Sequence, residues 1–171
     1  EVLVRRAARS SGERRATLYL QAATLFEAAH DPKAASDAYK KALEARPGDA
    51  AIRDALERLL RERNDPAGLA DMLESQLARS PGTAEAIQLL AKLGSLADRD
   101  LGDAARARSA YERLLELDPK SELGLMNLDD LYRRAQAYPE QVAILERREA
   151  LMSPSREQAE LTLRRARVLD E

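Results

Sequence analysis

The sequence predicts an all-α protein built from antiparallel helical hairpins that stack on one another. Three observations predict this: prolines recur at a regular spacing, apolar residues recur three and four positions apart, and no segment alternates with period two. A length of 171 residues suits one domain or one run of repeats. With seven Gly, seven Pro and no Cys, collagen-like and disulfide-framed classes are excluded.

Proline spacing marks the helix boundaries, because proline ends helices and favours their first turn. Pro47 and Pro81 are 34 residues apart, and the residues before them align without a gap. In that alignment Asp31 corresponds to Asp65, and each aspartate precedes a proline. Aspartate at this place is a good N-cap for a helix whose first residue is proline. The segments are therefore two copies of one helix and its boundaries.

A longer period shows that hairpins come in pairs. Tyr39 and Tyr111 are 72 residues apart, as are Pro47 and Pro119. Loops of two to five residues force neighbouring helices to be antiparallel, and a single hairpin cannot bury its own apolar face, so the hairpins must stack. We expect nine or ten helices, at about 1–9, 12–29, 32–45, 50–63, 66–79, 84–99, 104–117, 122–136, 139–152 and 156–170.

The first complete hairpin resembles a known repeat. Small residues at Ala23 and Ala35 would let two helices approach closely, and aromatic residues at Tyr19, Phe26 and Tyr39 would fill the gap to the next hairpin. With a period of 34 and two helices per unit, this hairpin resembles the tetratricopeptide repeat. The resemblance implies a right-handed α-solenoid, a superhelix of stacked hairpins.

The other hairpins resemble the family unevenly. The third unit is similar, with Ser95 in a small-residue position of its first helix and Tyr111 in an aromatic position of its second. The second and fourth units depart from the pattern, with Arg53, Glu57, Glu146 and Glu149 where the repeat has large, small or apolar residues. We predict one array, divided into a helix remnant (1–11), four repeats (12–49, 50–82, 83–120, 121–154) and the first helix of a fifth (155–171).

Candidate catalytic and metal-binding residues are scarce. There is no Cys, and the one histidine, His30, precedes a predicted helix start, where a turn residue is expected. The segment 98–103 superficially resembles the start of a calcium loop but has Gly102 and Asp103 at the wrong positions, so Asp103 is predicted to cap a helix. We therefore predict no enzyme activity, no cofactor and no metal.

Charge and hydropathy restrict the partners. The 28 basic and 30 acidic residues leave a net charge of −2, which argues against a chain that mainly neutralises phosphates. Arginine pairs such as Arg5-Arg6 and Arg14-Arg15 keep a nucleic-acid-binding helical repeat as a weaker alternative. No window approaches 18 uncharged apolar residues, so membrane insertion is not expected. The first residues lack a Met and a signal-type apolar core, which predicts a fragment of a longer protein.

The resemblance implies a binding surface on the concave side, lined mainly by the first helix of each hairpin. A peptide or helix of another protein would bind there, and the mixture of apolar and charged positions suits such a ligand. Of the positions that hold a carboxylate clamp in chaperone-binding relatives, only Lys92 carries a suitable residue, so a chaperone tail is not the expected ligand. The positions carried over from the family are Thr17, Leu20, Thr24, Asp54, Arg58, Arg61, Leu89, Lys92, Leu96, Met126, Asp130 and Arg133.

Self-association is the alternative from a different class. The first and last helices would each lack one stacking neighbour, and repeat arrays normally need polar caps there. Instead these helices carry apolar residues that could join two copies of the chain: Val2, Leu3 and Val4 in the first, and Leu161, Leu163, Val168 and Leu169 in the last.

Overall fold

The computed structural model describes residues 2–79, 82–152 and 156–169, and all regular secondary structure in them is α-helical. The ten helices are α1 (Val2–Ala8), α2 (Gly12–Ala28), α3 (Pro32–Ala45), α4 (Ala50–Glu62), α5 (Pro66–Leu77), α6 (Thr83–Arg99), α7 (Ala104–Leu117), α8 (Glu122–Ala135), α9 (Tyr138–Leu151) and α10 (Arg156–Leu169). Each boundary lies within two residues of its predicted place. The all-α prediction is confirmed, while the division into repeats stays a prediction. Pro81 and Pro154 lie outside the described residues.

A left-handed residue ends the first helix of each hairpin. His30, Asn64, Gly102 and Gln136 follow α2, α4, α6 and α8 with φ of 56°, 50°, 65° and 54°. A residue in this conformation turns the chain so that its amide groups bond the last carbonyls of the helix. These four positions are the turns of successive hairpins, so the spacing between them corresponds to the length of one repeat. His30 is therefore a turn residue, as predicted.

Aspartate caps the second helix in three of the four hairpins. Asp31, Asp65 and Asp103 each accept a hydrogen bond from the backbone N–H three residues further on, at 2.8 to 2.9 Å. The predicted caps are confirmed, including the one in the segment that resembles a calcium loop. In the fourth hairpin Ala137 takes this place, and α9 begins without a side-chain cap.

The chain forms two compact units, and the first is Glu1–Asp71. In it α1 packs on α2, α2 on α3, and α3 on α4. Ala23 and Ala35 are fully buried, as expected for positions where helices approach closely, and Tyr19 and Tyr39 are 2% and 3% exposed. The first hairpin thus has the predicted core.

The second unit is Met72–Glu171, in which α6 packs on α7 and each helix up to α10 packs on the next. The close approach of α6 to α7 occurs at Gly94, one residue before the predicted Ser95. A Cβ atom at Gly94 would lie 2.6 Å from the ring of Tyr111, which is 1% exposed. Gly94 thus makes a close approach to α7, while the place of Ser95 in the repeat pattern stays a prediction.

Charged residues at expected apolar positions of α9 serve the contact with α10. The side chain of Glu149 is 13% exposed, and its Oε2 lies 2.9 Å from Nη1 of Arg165 on α10. Glu146 lies 3.7 Å from the same nitrogen. The departure of the fourth repeat from the family pattern therefore reflects an ion-paired helix interface instead of an apolar one.

Candidate functional site

The predicted binding residues differ in exposure. Eight are exposed, Leu20, Leu96 and Asp130 are partly buried, and Leu89 is only 7% exposed. Leu89 packs in the core of the second unit and is not part of the exposed surface. The eight exposed residues are Thr17, Thr24, Asp54, Arg58, Arg61, Lys92, Met126 and Arg133.

Three of the predicted residues meet on α4 of the first unit. They line an open depression of about 420 Å³, whose described lining is Asp54, Glu57, Arg58, Arg61 and Glu62. Arg58 lies 3.0 Å from Glu62, and Arg61 lies 2.8 Å from Glu57, each one helical turn away. The surface is charged but largely paired within itself, which suits a polar partner segment better than an apolar ligand.

Arg58 also ties α4 to α2 through Glu27, a carboxylate that it shares with the buried Tyr39 of α3. Its guanidinium donates to Glu27, and the hydroxyl of Tyr39 donates to the same carboxylate at 2.6 Å. The hydrogen bonds from Tyr39 and Arg58 hold the pKa of Glu27 below its usual value. Burial, together with Glu27, raises the pKa of Tyr39 to about 12. Arg58 is thus already paired within the protein, and a ligand would have to compete with Glu27 and Glu62 for its guanidinium group.

The same kind of ion pair joins first helices in the second unit. In each case an arginine of the later first helix pairs with a carboxylate of the preceding first helix. These arginines are 40% to 51% exposed, so the pairs lie near the surface. The sequence predicted arginine pairs as a possible basic stripe and missed this role, since the partners are 31 to 36 residues apart. The pairs are Arg58–Glu27, Arg134–Asp98 and Arg164–Asp129.

Helix α8 carries an exposed stripe of apolar and charged residues. Leu123 and Met126 are 47% and 51% exposed, and Asp130 and Arg133 continue the same helix face. Arg133 donates to Asp130, whose pKa is lowered by this hydrogen bond and by the nearby charge of Arg134. Leu123 was missed by the sequence analysis, although its position three residues before Met126 places it on the same face.

The remaining predicted residues offer simpler contacts. The hydroxyls of Thr17 and Thr24 donate to backbone carbonyls of their own helix, at 2.9 Å in both cases. Lys92 on α6 makes no hydrogen bond or ion pair with residues that the structure describes. Of the predicted residues with a positive charge, Lys92 is therefore the one most available to a ligand.

Other chemistry is limited in the described part of the chain. No group of three or more His, Asp or Glu residues there is arranged to hold a metal ion. None of the helices in those residues is long and apolar enough to cross a membrane. His30 is exposed in its turn.

Comparison with known proteins identifies the repeat. The family model described as "Tetratricopeptide repeat" matches residues 87–121, which covers most of α6 and all of α7. Eighteen chains of solved structures match, among them one titled "Crystal structure of MamA protein". It is 16% identical, has a TM-score of 0.52, and covers 91% of this chain and 88% of its own. At that identity the likeness concerns the fold. No curated protein matches the chain.

Proposed function

We propose that this chain, a tetratricopeptide-repeat protein, acts as a non-catalytic scaffold that binds a peptide or helix of a partner protein. Binding would take place on exposed faces of first helices within one unit, α2 and α4 in the first or α6 and α8 in the second. The repeat resemblance implies that the first helices carry the ligand.

The exposed stripe of α8 is the observation that carries the proposal. Leu123 and Met126 keep about half of their surface in water, although each would gain about 25 cal/mol for every Å² of apolar area that it buried. Methionine adapts its shape to different ligands. Asp130 and Arg133, one to two turns along, can fix the orientation of a bound segment through hydrogen bonds.

The other first helices supply weaker contacts. Thr17, Leu20 and Thr24 on α2 offer contact surface without free donors, because both threonine hydroxyls are satisfied by their own helix. Lys92 can reach a carboxylate of a ligand. Arg58 is a poor choice for testing the surface, since its substitution would also break the contact with Glu27 and loosen α4 from α2.

The test is selection of binding peptides from a displayed random library against the 171-residue chain. We expect the double variant Leu123→Asp/Met126→Asp to bind the selected peptides at least tenfold more weakly. Leu117→Asp is the matched control, because Leu117 is 42% exposed on α7, a second helix. The proposal fails if both variants bind the peptides as the unaltered chain does.

Self-association is a second candidate function. Leu163 and Leu169 on α10 are 60% and 64% exposed, and Val2 on α1 is 79% exposed. Leu161, in contrast, is 9% exposed and packs within the second unit. Two exposed leucines on one helix favour contact with another apolar surface. Light scattering at rising concentration decides: a strict monomer removes this candidate.

A further inference from the structure

We infer that α1 and the first turn of α2 form a second interaction surface, which binds an acidic segment of a partner protein. We call this surface the basic corner and define it by Arg6, Arg9 and Arg14. It lies apart from the α8 stripe in sequence and belongs to the other compact unit.

Positive charge is concentrated in the segment that carries the basic corner. Residues 2–15 contain five arginines and one glutamate, a net charge of 5 − 1 = +4. The whole chain has a net charge of −2, so the remaining residues sum to −2 − 4 = −6. A positive region of this size in an otherwise acidic chain attracts anions locally and steers them to one place.

The three arginines of the basic corner have no acidic partner among the residues that the structure describes. Glu13, the one acidic residue of the segment, is engaged by Arg46 at the end of α3. Arg6, Arg9 and Arg14 are exposed, and their side chains make no hydrogen bond or ion pair with the residues that the structure describes. This differs from Arg58, Arg134 and Arg164, each of which pairs with a carboxylate of a preceding helix.

The backbone that carries the arginines is ordered by packing. Helix α1 packs on α2, with Ala7 and Ala16 both 0% exposed. The link between the two helices is a short turn in which Gly12 has φ of 54°. Arg9 and Arg14 flank this turn. Because the backbone is already held, a ligand would order only the arginine side chains on binding, which keeps the entropic cost low.

Carboxylates of a protein suit the basic corner better than a nucleic acid does. Arginine binds carboxylates in a planar, two-point geometry. Single-stranded RNA would need aromatic faces for its bases, but Tyr19 is 2% exposed, with Arg15 and Lys41 at 5.8 and 5.6 Å from its ring centre. The charge of −6 on the rest of the chain would also repel a long polyanion.

The test is fluorescence anisotropy with a labelled peptide of alternating Glu and Ser, six of each, and the 171-residue chain. We expect binding at low ionic strength, weakening as salt screens the charges. The variant Arg6→Gln/Arg9→Gln/Arg14→Gln should bind about tenfold more weakly, since each exposed arginine–carboxylate pair contributes about a few-fold. A peptide with Gln in place of Glu should not bind.

A matched control separates a site from a general charge effect. Arg79, Arg113 and Arg167 are also exposed, and Arg79→Gln/Arg113→Gln/Arg167→Gln removes the same charge from the second unit. Equal loss in both triple variants overturns the inference, as does failure of the unaltered chain to bind the acidic peptide. Tighter binding of a hexauridylate than of the peptide would instead assign the corner to nucleic acid. Circular dichroism checks that both variants fold.

The outcome is independent of the proposed function. Peptides selected on the α8 stripe should bind the basic-corner variant normally, and the acidic peptide should bind Leu123→Asp/Met126→Asp normally. A failure of one surface is therefore distinguishable from a failure of the other.

Discussion

Arg164 on α10 donates a hydrogen bond from Nη2 to Oδ1 of Asp129 on α8 at 3.1 Å, and its Nη1 lies 2.9 Å from Oδ2 of the same carboxylate. Asp129 is 2% exposed, and it also accepts from Gln141 at 2.8 Å and from Arg148 at 3.3 Å. A carboxylate removed from water costs several kcal/mol unless it is paired and hydrogen-bonded. Asp129 thus joins α8, α9 and α10, and the three helices depend on one another through it.

Removing this carboxylate should be more costly than removing its neighbour. We expect Asp129→Ala to lower the free energy of unfolding by about 1.5–3 kcal/mol, because it removes the charged acceptor of the hydrogen bonds from Gln141 and Arg148, while Arg148 keeps its ion pair with Glu122. The matched control is Asp130→Ala, whose side chain is 48% exposed and whose loss should cost at most about 1 kcal/mol. Urea unfolding followed by circular dichroism measures both. Equal costs would contradict the assigned role of Asp129.

Helix α10 should pack less firmly on the second unit when Arg164 is neutralised. Among its described side chains Leu161 is the buried one, so polar contacts hold the helix to a large extent. We expect Arg164→Gln, or high salt, to speed hydrogen exchange of the α10 amides at least tenfold while those of α6 and α7 stay protected. Arg167→Gln, at an exposed position of the same helix, should leave exchange unchanged. If the α10 amides exchange at the same rate in both variants, the ion pair of Arg164 does not hold α10.

The left-handed turns should respond to glycine in opposite directions. Gln136 has φ of 54°, a conformation that costs a non-glycine residue about 1–2 kcal/mol. Glycine avoids this cost, but its larger loss of backbone entropy on folding cancels about half of the gain. We expect Gln136→Gly to stabilise the chain by about 0.5–1 kcal/mol and Gly102→Ala, at φ of 65°, to destabilise it by about 1 kcal/mol. Thermal unfolding measures both changes. Shifts of the same sign would exclude backbone strain as their cause.

Two buried tyrosines should make stability depend on alkaline pH. Burial and the carboxylates of Glu27 and Glu112 raise the pKa of Tyr39 and of Tyr132 to about 12. In the unfolded chain the pKa of tyrosine is about 10. The contribution of the neutral phenols is therefore complete below about pH 10 and is lost as pH rises towards about 12.

Phenylalanine variants test this dependence. Tyr39→Phe removes the titrating proton, so the free energy of unfolding should fall less steeply between about pH 10 and 12 than in the unaltered chain. Tyr132→Phe should have a similar effect through the second unit. Urea unfolding at a series of pH values gives the slopes. Parallel slopes in all three proteins would mean that these phenols keep ordinary pKa values when folded.

Local chemistry was sufficient to predict the helices. Proline and aspartate at helix starts act through contacts with the next three or four residues, so a spacing such as that from Asp31 to Asp65 places boundaries without knowledge of the fold. The core positions Ala23 and Ala35 followed from the repeat resemblance. Leu89 was wrong as a surface residue, since it is 7% exposed and packs in the core of the second unit. Positions carried over from the repeat family did not show which face of α6 is packed.

The candidate site was only partly predictable. Met126, Asp130 and Arg133 were carried over from the repeat resemblance, and their spacing of four and three residues places them on one helix face. The pairing of arginines with carboxylates of other helices could not be predicted in this way. Arg58 was predicted to face a ligand and Arg164 to be a solvated charge, yet each meets a carboxylate more than 30 residues earlier in the chain.

The sequence by itself determined the helix boundaries, the all-α class and the near balance of charge, since these depend on residue type and on contacts within one or two turns. Only the tertiary structure decided which charges are paired. Pairing across helices depends on where the packed hairpins bring distant side chains, and burial then decides how strongly each pair is held. The chain's 28 basic and 30 acidic residues nearly balance, yet they form two different kinds of surface. The first helices carry paired charges, and the basic corner has no acidic partner among the described residues.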